Sequence, residues 1–343
     1  MVNFLTELPK ELLSLIVSNL DTNYYFPLAL SCKQLRIVTS DVLGENKMNT
    51  KIEKIVVSLS LLKWGHENGC PWDEDTFSHA AECGDLDVIS YLYKNGCKWD
   101  EAACSRAARG GHLKALEFLR EHGCPWSQYT CSEAASRGYL EVLQWAHQNG
   151  CPWDEYTCTL TARRGFLEVL RYLHDTGCPW NFDTCSCTAQ TGNLEVLQYL
   201  HENGCPWNSD TCLCAASNGH LEVLRYAHEH GCPWDTTVCR YAAQQGYLDI
   251  LMYLHENGCP WHVDTCSCAA WRGHLKVLQY AHEHGCPWDS NTCAWAARDG
   301  HLEVLIYAHE HGCPWDERTI KYASARGHLD VLRYALEHGC PEI

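Results

Sequence analysis

The chain is short of cations and of long apolar stretches. Its 343 residues carry 26 Lys and Arg against 43 Asp and Glu, a formal net charge of -17. That balance excludes a surface built for phosphate backbones or anionic membranes, both of which call for a basic patch. No apolar run approaches the roughly 20 residues needed to cross a bilayer. The opening residues, Met1-Val2-Asn3-Phe4-Leu5-Thr6-Glu7, lack the basic stretch, apolar segment and cleavage site of a secretory signal. This predicts a reducing compartment, the cytoplasm. Also missing are a glycine-rich phosphate loop, a nucleophile elbow and a paired-carboxylate constellation, so neither catalysis nor a cofactor is expected.

What the chain has in abundance is cysteine, 24 residues of it, in strict register. The dipeptide Gly-Cys recurs every 27 residues from Gly69-Cys70 to Gly339-Cys340, eleven copies in all. Eight further cysteines share one other position: Cys104, Cys131, Cys158, Cys185, Cys212, Cys239, Cys266 and Cys293. A fixed period of this length marks an array of one supersecondary unit, each copy packing on its neighbours. Such a tract escapes the size limit of a single compact core. Same-position cysteines on stacked helices lie about 8–10 Å apart. A disulfide wants Cα atoms within roughly 7 Å, so those neighbours do not pair. The residue serves instead as a small buried apolar group.

One repeat, Trp126 to Pro152, shows the local logic. Ser127 follows the Trp, and other repeats place Asp73, Asp100, Asp154, Asn181, Asn208, Asp235, Asp289 or Asp316 there; only His262 breaks the rule. Short acceptors ahead of helix formers predict an N-cap. A first helix then runs from about Gln128 to Arg137, with Cys131, Ala134 and Ala135 on one face at a spacing of three to four. Gly138 ends it. A second helix follows, with Leu140, Leu143 and Ala146 on one face, closed by Gly150 as a left-handed cap and by Pro152. Trp153 then opens the next repeat as a large apolar wedge.

The segment Ala134-Ala135-Ser136-Arg137-Gly138-Tyr139-Leu140-Glu141-Val142-Leu143 resembles the core of the ankyrin repeat, with its two alanines, Gly-His turn and L-x-V-V/L helix. The Gly-His form stands at Gly111-His112, Gly219-His220, Gly273-His274, Gly300-His301 and Gly327-His328. Gly150-Cys151-Pro152-Trp153-Asp154 is similar to the family's G-A-D-V-N segment. Ankyrin repeats have 33 residues, and the missing six fall where the family places its β-hairpin finger. The resemblance implies an all-α, helix-turn-helix solenoid with shortened or missing β-hairpin fingers over residues 59–343, one half repeat plus ten 27-residue repeats. The half repeat, from Leu59 to Asn68, matches a second helix only. At the far end Ile320, Lys321, Ser324, Leu336 and Glu342 replace the usual residues, as expected of a solvent-facing cap.

Residues 1–43 lie outside the repeat, and 44–58 read as a connector with Gly44, Asn46 and Asn49. Leu8-Pro9-Lys10-Glu11-Leu12-Leu13-Ser14-Leu15-Ile16, then Leu20-Asp21 and Cys32-Lys33-Gln34-Leu35-Arg36, resembles the F-box. The resemblance implies docking onto the Skp-type adaptor of a cullin–RING ubiquitin ligase through Leu8, Pro9, Leu12, Leu13 and Ile16. Pairing such a motif with ankyrin-like repeats is similar to proteins of large DNA viruses, and implies a host protein as target in that setting.

Two further readings stand beside the substrate-recognition role. One is an ankyrin-like binding protein without a ligase link. The other is a Cys/His-rich metal-binding array, because His66, His147, His174, His201, His228, His255, His282 and His309 each stand four residues before a Gly-Cys cysteine. Structural zinc needs four converging ligands. The Cys-x-Cys pairs Cys185/Cys187, Cys212/Cys214 and Cys266/Cys268 diverge by about 200° around a helix. A histidine in the last helical turn is explained by the helix C-terminus alone, so no metal is expected.

If repeated positions build the scaffold, variable ones carry specificity. The third residue after the Thr varies most: His79, Arg106, Glu133, Leu160, Cys187, Cys214, Tyr241, Cys268, Trp295 and Tyr322. In the later repeats Tyr241, Trp271, Trp295, Arg298 and Tyr322 gather aromatic and Arg side chains, the types that anchor protein interfaces. These five are the expected target-binding residues. The expected partners are the adaptor and one protein target, with no nucleic acid and no membrane, on a monomeric chain.

Overall fold

A computed structural model of the chain describes residues 59–67 and 72–342. The F-box-like residues Leu8, Pro9, Leu12, Leu13 and Ile16 and the connector 44–58 lie outside them. Among the described residues every element is a helix and no strand is present. The fold is the all-α, ankyrin-like stack of helix pairs that the 27-residue beat predicts, without hairpin fingers.

The helices alternate strictly in chain order. They are α1 (Leu59–Glu67), α2 (Glu74–Cys83), α3 (Leu86–Lys94), α4 (Glu101–Gly110), α5 (Leu113–Glu121), α6 (Gln128–Ser136), α7 (Leu140–Gln148), α8 (Glu155–Arg164) and α9 (Leu167–Asp175). Next come α10 (Phe182–Thr191), α11 (Leu194–Glu202), α12 (Ser209–Ser217), α13 (Leu221–Glu229), α14 (Thr236–Gln245) and α15 (Leu248–Glu256). The series closes with α16 (Thr265–Trp271), α17 (Leu275–Glu283), α18 (Ser290–Arg298), α19 (Leu302–Glu310), α20 (Glu317–Arg326) and α21 (Leu329–Glu337). Two compact units divide them. The first runs to Thr157 and includes Glu168–Cys178; the second comprises Cys158–Leu167 and the chain from Pro179 onward.

Within the first unit α2, α4 and α6 pack side by side, and α1, α3, α5 and α7 form a second row. In the second unit α10, α12, α14, α16, α18 and α20 make one row, with the odd-numbered helices behind. The seam between rows is built from small residues on the first helix of each pair and aliphatic ones on the second. In the pair α14/α15, Cys239, Ala242 and Ala243 meet Ile250, Leu251 and Leu254, all fully buried. Alanine and cysteine let the helices of one row approach closely. Each buried Leu contributes about 1.5–3 kcal/mol.

The N-cap register holds and most of its side chains cap as expected, but Ser127 makes no side-chain cap bond. Asp73, Asp100, Asn181, Asn208, Asp235, Asp289 and Asp316 each accept a main-chain N–H from the first turn of the helix they open. The break at His262 is instructive. With His262 at this position, α16 has only 7 residues and begins at Thr265, two places later than its neighbours. His262 Nδ1 instead accepts the Asp264 N–H at 3.0 Å.

The Gly-Cys cysteine does more than fill space. Its thiol donates to the main-chain carbonyl of the N-cap residue 24 places earlier in the same repeat. Examples are Cys97 to Asp73 (3.3 Å), Cys151 to Ser127 (3.4 Å), Cys232 to Asn208 (3.2 Å) and Cys313 to Asp289 (3.3 Å). The bond clasps the end of the second helix to the start of the first. At the irregular repeat, Cys286 to His262, it stretches to 4.0 Å. The two cysteine registers also meet inside a repeat: Cys239 Sγ lies 3.3 Å from Cys259 Sγ. The hydrogen bond to Cys259, together with burial, raises the Cys239 thiol above its usual range. All described cysteines are free thiols. Weighing only same-position neighbours in the sequence overlooks this pairing at a spacing of 20.

The recurrent histidines have a different role from the one expected. Rather than relying on the helix C-terminus, they stack on the Trp that opens the next repeat. His147 lies 3.6 Å from Trp153 at 9°, His228 3.6 Å from Trp234 at 6°, and His282 3.6 Å from Trp288 at 12°. Several also bond the next repeat's tyrosine, as His201 Nδ1 does with Tyr226 Oη at 3.0 Å. Burial lowers the pKa of His147, His201, His228 and His282. At these four joints burial favours the neutral ring, which weakens any interaction of an imidazolium with the helix C-terminus there.

The last pair is the more polar one. Lys321 and Ser324 are exposed, and Leu336 and Leu329 face outward.

Candidate protein-interaction site

On each first helix, the residues four, eight and eleven places into the repeat share a stripe at helical spacing, away from the buried Cys/Ala seam. In the second unit this stripe opens into a cleft between α16 and α18. It is lined by Asp264, Ser267, Cys268, Trp271, Asn291, Trp295 and Arg298 and encloses about 390 Å³. That volume sits at the low end of ligand-binding cavities, enough for one or two side chains.

Two indoles line the cleft. Trp271 and Trp295 lie 6.3 Å apart with planes inclined at 47°. Trp295 is flanked on its other side by Tyr322 of α20, 6.1 Å away and stacked at 24°. The Arg298 guanidinium lies over the Trp295 ring at 4.9 Å. Arg272, just beyond α16, covers Trp271 at 4.6 Å. All four residues Trp271, Trp295, Arg298 and Tyr322 are partly exposed. The structure thus brings four of the five expected target residues together. Tyr241 stands apart: it lies under its neighbour Arg240 at 4.7 Å and does not line the cleft. Its equivalents one repeat to either side are Cys214 and Cys268, too small to extend an aromatic row to it.

Charge distinguishes this face from the same stripe in the first unit. There Arg106 bonds Glu82 at 2.7 Å, and Arg109 lies between Glu82 (3.5 Å) and Glu133 (4.0 Å). Those arginines already have carboxylate neighbours within the chain. Among the described residues Arg298 has no carboxylate partner. At the opposite end of the cleft Asp264 has an imidazole neighbour, His262 Nδ1, at 3.6 Å from its Oδ2. Because that nitrogen accepts the Asp264 N–H, it carries no proton there, and the contact is no ion pair. The cleft therefore has an open carboxylate at one end and an open guanidinium at the other.

Cys268 belongs to the variable register that the sequence singles out, but the sequence had no signal for Asp264, Ser267 or Asn291 as members of this site. Asp264 and Asn291 are reached only by following the eight-place residue back to the four-place residue on the same helix stripe. No group of three or more His, Cys, Asp or Glu side chains converges among the described residues. No described helix is long and apolar enough to cross a membrane.

Comparison with known proteins bears on both the N-terminal segment and the repeat array. No curated protein matches the sequence. The family model for the F-box domain matches residues 5–44, and that for ankyrin repeats, in three copies, matches residues 185–264. The chain thus carries an F-box domain followed by ankyrin repeats, both of them modules that bind other proteins.

Proposed function

We propose that the chain is the substrate-recognition subunit of a cullin–RING, SCF-type ubiquitin ligase. The F-box holds the Skp-type adaptor through Leu8, Pro9, Leu12, Leu13 and Ile16. A connector over 44–58 joins it to a repeat array over 59–343. The array holds a protein target through Trp271, Trp295, Arg298 and Tyr322, with Tyr241 on its margin. The observation that carries this reading is the union of an F-box match with a stack of ankyrin repeats. An adaptor-binding motif beside a binding surface is the arrangement that brings a target to a ligase. The chain then needs no catalytic residues and no cofactor. Free thiols throughout the described cysteines fit a reducing cytoplasm. In a viral setting the target is a host protein.

Two variants test the two halves. Leu12→Asp/Leu13→Asp is expected to lose the adaptor in a pull-down that wild type passes; retention of the adaptor overturns the F-box assignment. Absence of adaptor from the wild-type pull-down favours a binding protein with no ligase link. Trp295→Ala/Tyr322→Ala is expected to lose target capture with unchanged helical circular dichroism. Undiminished capture overturns the site.

A further inference from the structure

We propose that the cleft between α16 and α18 binds a short extended peptide segment of its partner, one that carries an aromatic side chain beside an acidic one. This rests on the reading that the second unit holds the target, and it specifies the chemistry recognised.

The argument begins with the two indoles. Trp271 and Trp295, 6.3 Å apart and inclined at 47°, offer ring faces and edges to a planar side chain. Tyr322 and Arg298 also contact the Trp295 ring, which braces the indole in place. A rigid aromatic wall loses little rotamer freedom on binding, the property that makes such residues anchors.

The charges give the segment its polarity. Arg298 is half-buried, with its guanidinium over the Trp295 ring at 4.9 Å, and is free of any carboxylate among the described residues. A guanidinium held over a ring presents its N–H groups to a carboxylate with little further ordering. The paired Arg106 and Arg109 of the first unit show what the same stripe looks like when its cations have carboxylate neighbours within the chain. At the other end Asp264 accepts donors only, and it suits a main-chain N–H of the bound segment. Asp264 and Arg298 stand on neighbouring helices, about 10 Å apart along the axis and roughly 8–10 Å apart across it, so the charged ends lie on the order of 14 Å apart. An extended peptide covers that distance in about four residues. The segment therefore places a main-chain donor at Asp264, its ring against the exposed surface of the indole pair and its carboxylate at Arg298. The acidic balance of the chain, -17 overall, makes a local open cation a selective feature rather than a general attraction.

Cys268 supplies the readout. It lines the cleft and is partly exposed, whereas Cys83 of the first unit is exposed and remote in sequence. The probe is a synthetic heptapeptide with a central Phe-Glu pair, compared with Phe-Gln, Ala-Glu and Phe-Lys versions. Binding to the full chain is measured by calorimetry, and alkylation of Cys268 and Cys83 by mass spectrometry. The Phe-Glu peptide is expected to slow Cys268 alkylation without affecting Cys83. Phe-Gln and Ala-Glu should bind about tenfold more weakly or worse. Arg298→Glu should invert the preference toward Phe-Lys. Equal binding of Phe-Glu and Phe-Gln, an unchanged preference in Arg298→Glu, or no protection of Cys268 by any peptide each overturns the proposal. If no peptide protects Cys268 yet Trp295→Ala/Tyr322→Ala still loses its target, the partner chemistry fails and the site stands. If that double variant keeps its target, the site itself fails.

Discussion

Gly273 offers the sharpest test of how adjoining repeats are fastened. It has φ +76, and a Cβ there would lie 2.6 Å from His301 Nδ1 and 2.8 Å from His301 Cε1. His301 cannot simply swing aside, because its Nε2 bonds the Trp271 carbonyl at 3.1 Å. Gly273→Ala therefore has two components. Holding an L-residue in the left-handed region costs roughly 1–2 kcal/mol. Displacing the ring loses a hydrogen bond of about 1 kcal/mol. The loss of unfolded-state freedom returns about 0.4–1 kcal/mol. Gly285 is the internal control: it has φ +80, and a Cβ there meets nothing within 4 Å. Gly285→Ala carries only the backbone component. Urea denaturation followed by circular dichroism should place Gly273→Ala about 1 kcal/mol below Gly285→Ala. Hydrogen exchange should localise the loss to α16–α19. In a His301→Ala background the gap between the two glycine variants should close, the mark of a direct coupling. Equal destabilisation by the two substitutions, or a gap that persists without His301, refutes the account.

Three further outcomes follow from features already described. His262→Asp should extend α16 toward Val263 and stabilise the chain by about 1 kcal/mol, read as higher helicity and a higher urea midpoint. Thr292 is fully buried and its Oγ1 has no hydrogen-bond partner among the described residues, so Thr292→Val should raise stability by about 1 kcal/mol in the same titration. Burial lowers the pKa of His147, His201, His228, His274 and His282 below the ordinary 6.5. The unfolded chain thus binds more protons, and this contribution is full above about pH 6.5 and lost as pH falls below it. Thermal melts from pH 7.5 to 5 should show Tm falling, with a shallower fall in His147→Gln/His228→Gln.

The helix pairs were legible because their punctuation is local. An Asx residue at the N-cap, a glycine at each C-terminus and an Ala/Cys stripe each act within a few residues, and the 27-residue beat repeats the message. His262 was legible as an exception, and the short α16 is its consequence. Missed were contacts that depend on how one helix pair folds back on itself. The clasp from Cys97 to the Asp73 carbonyl joins residues 24 apart, and the Cys239–Cys259 contact joins residues 20 apart. Neither spacing belongs to a helix period. The histidines were read against their own helix, whereas their partner is a Trp six residues on, beyond the Gly-Cys-Pro turn. For the site, register alone treats Tyr241 and Trp295 as equivalent. What separates them is the neighbouring residue, Cys268 beside one and Tyr322 beside the other, so proximity across repeats decides which aromatics share a cleft.

The thiol clasp has a consequence for how such a chain lengthens or shortens over generations. Its donor and its acceptor belong to the same repeat, so each helix pair closes on itself before it meets another. Most joints to the next pair use the same His and Trp, while Tyr93 meets Trp99 and Arg120 meets Trp126. A crossover that adds or removes one 27-residue block among the His–Trp repeats therefore leaves every clasp intact and makes no unfamiliar joint. Copy number can drift while the cleft between α16 and α18, formed by one adjacent pair of blocks, travels as a cassette.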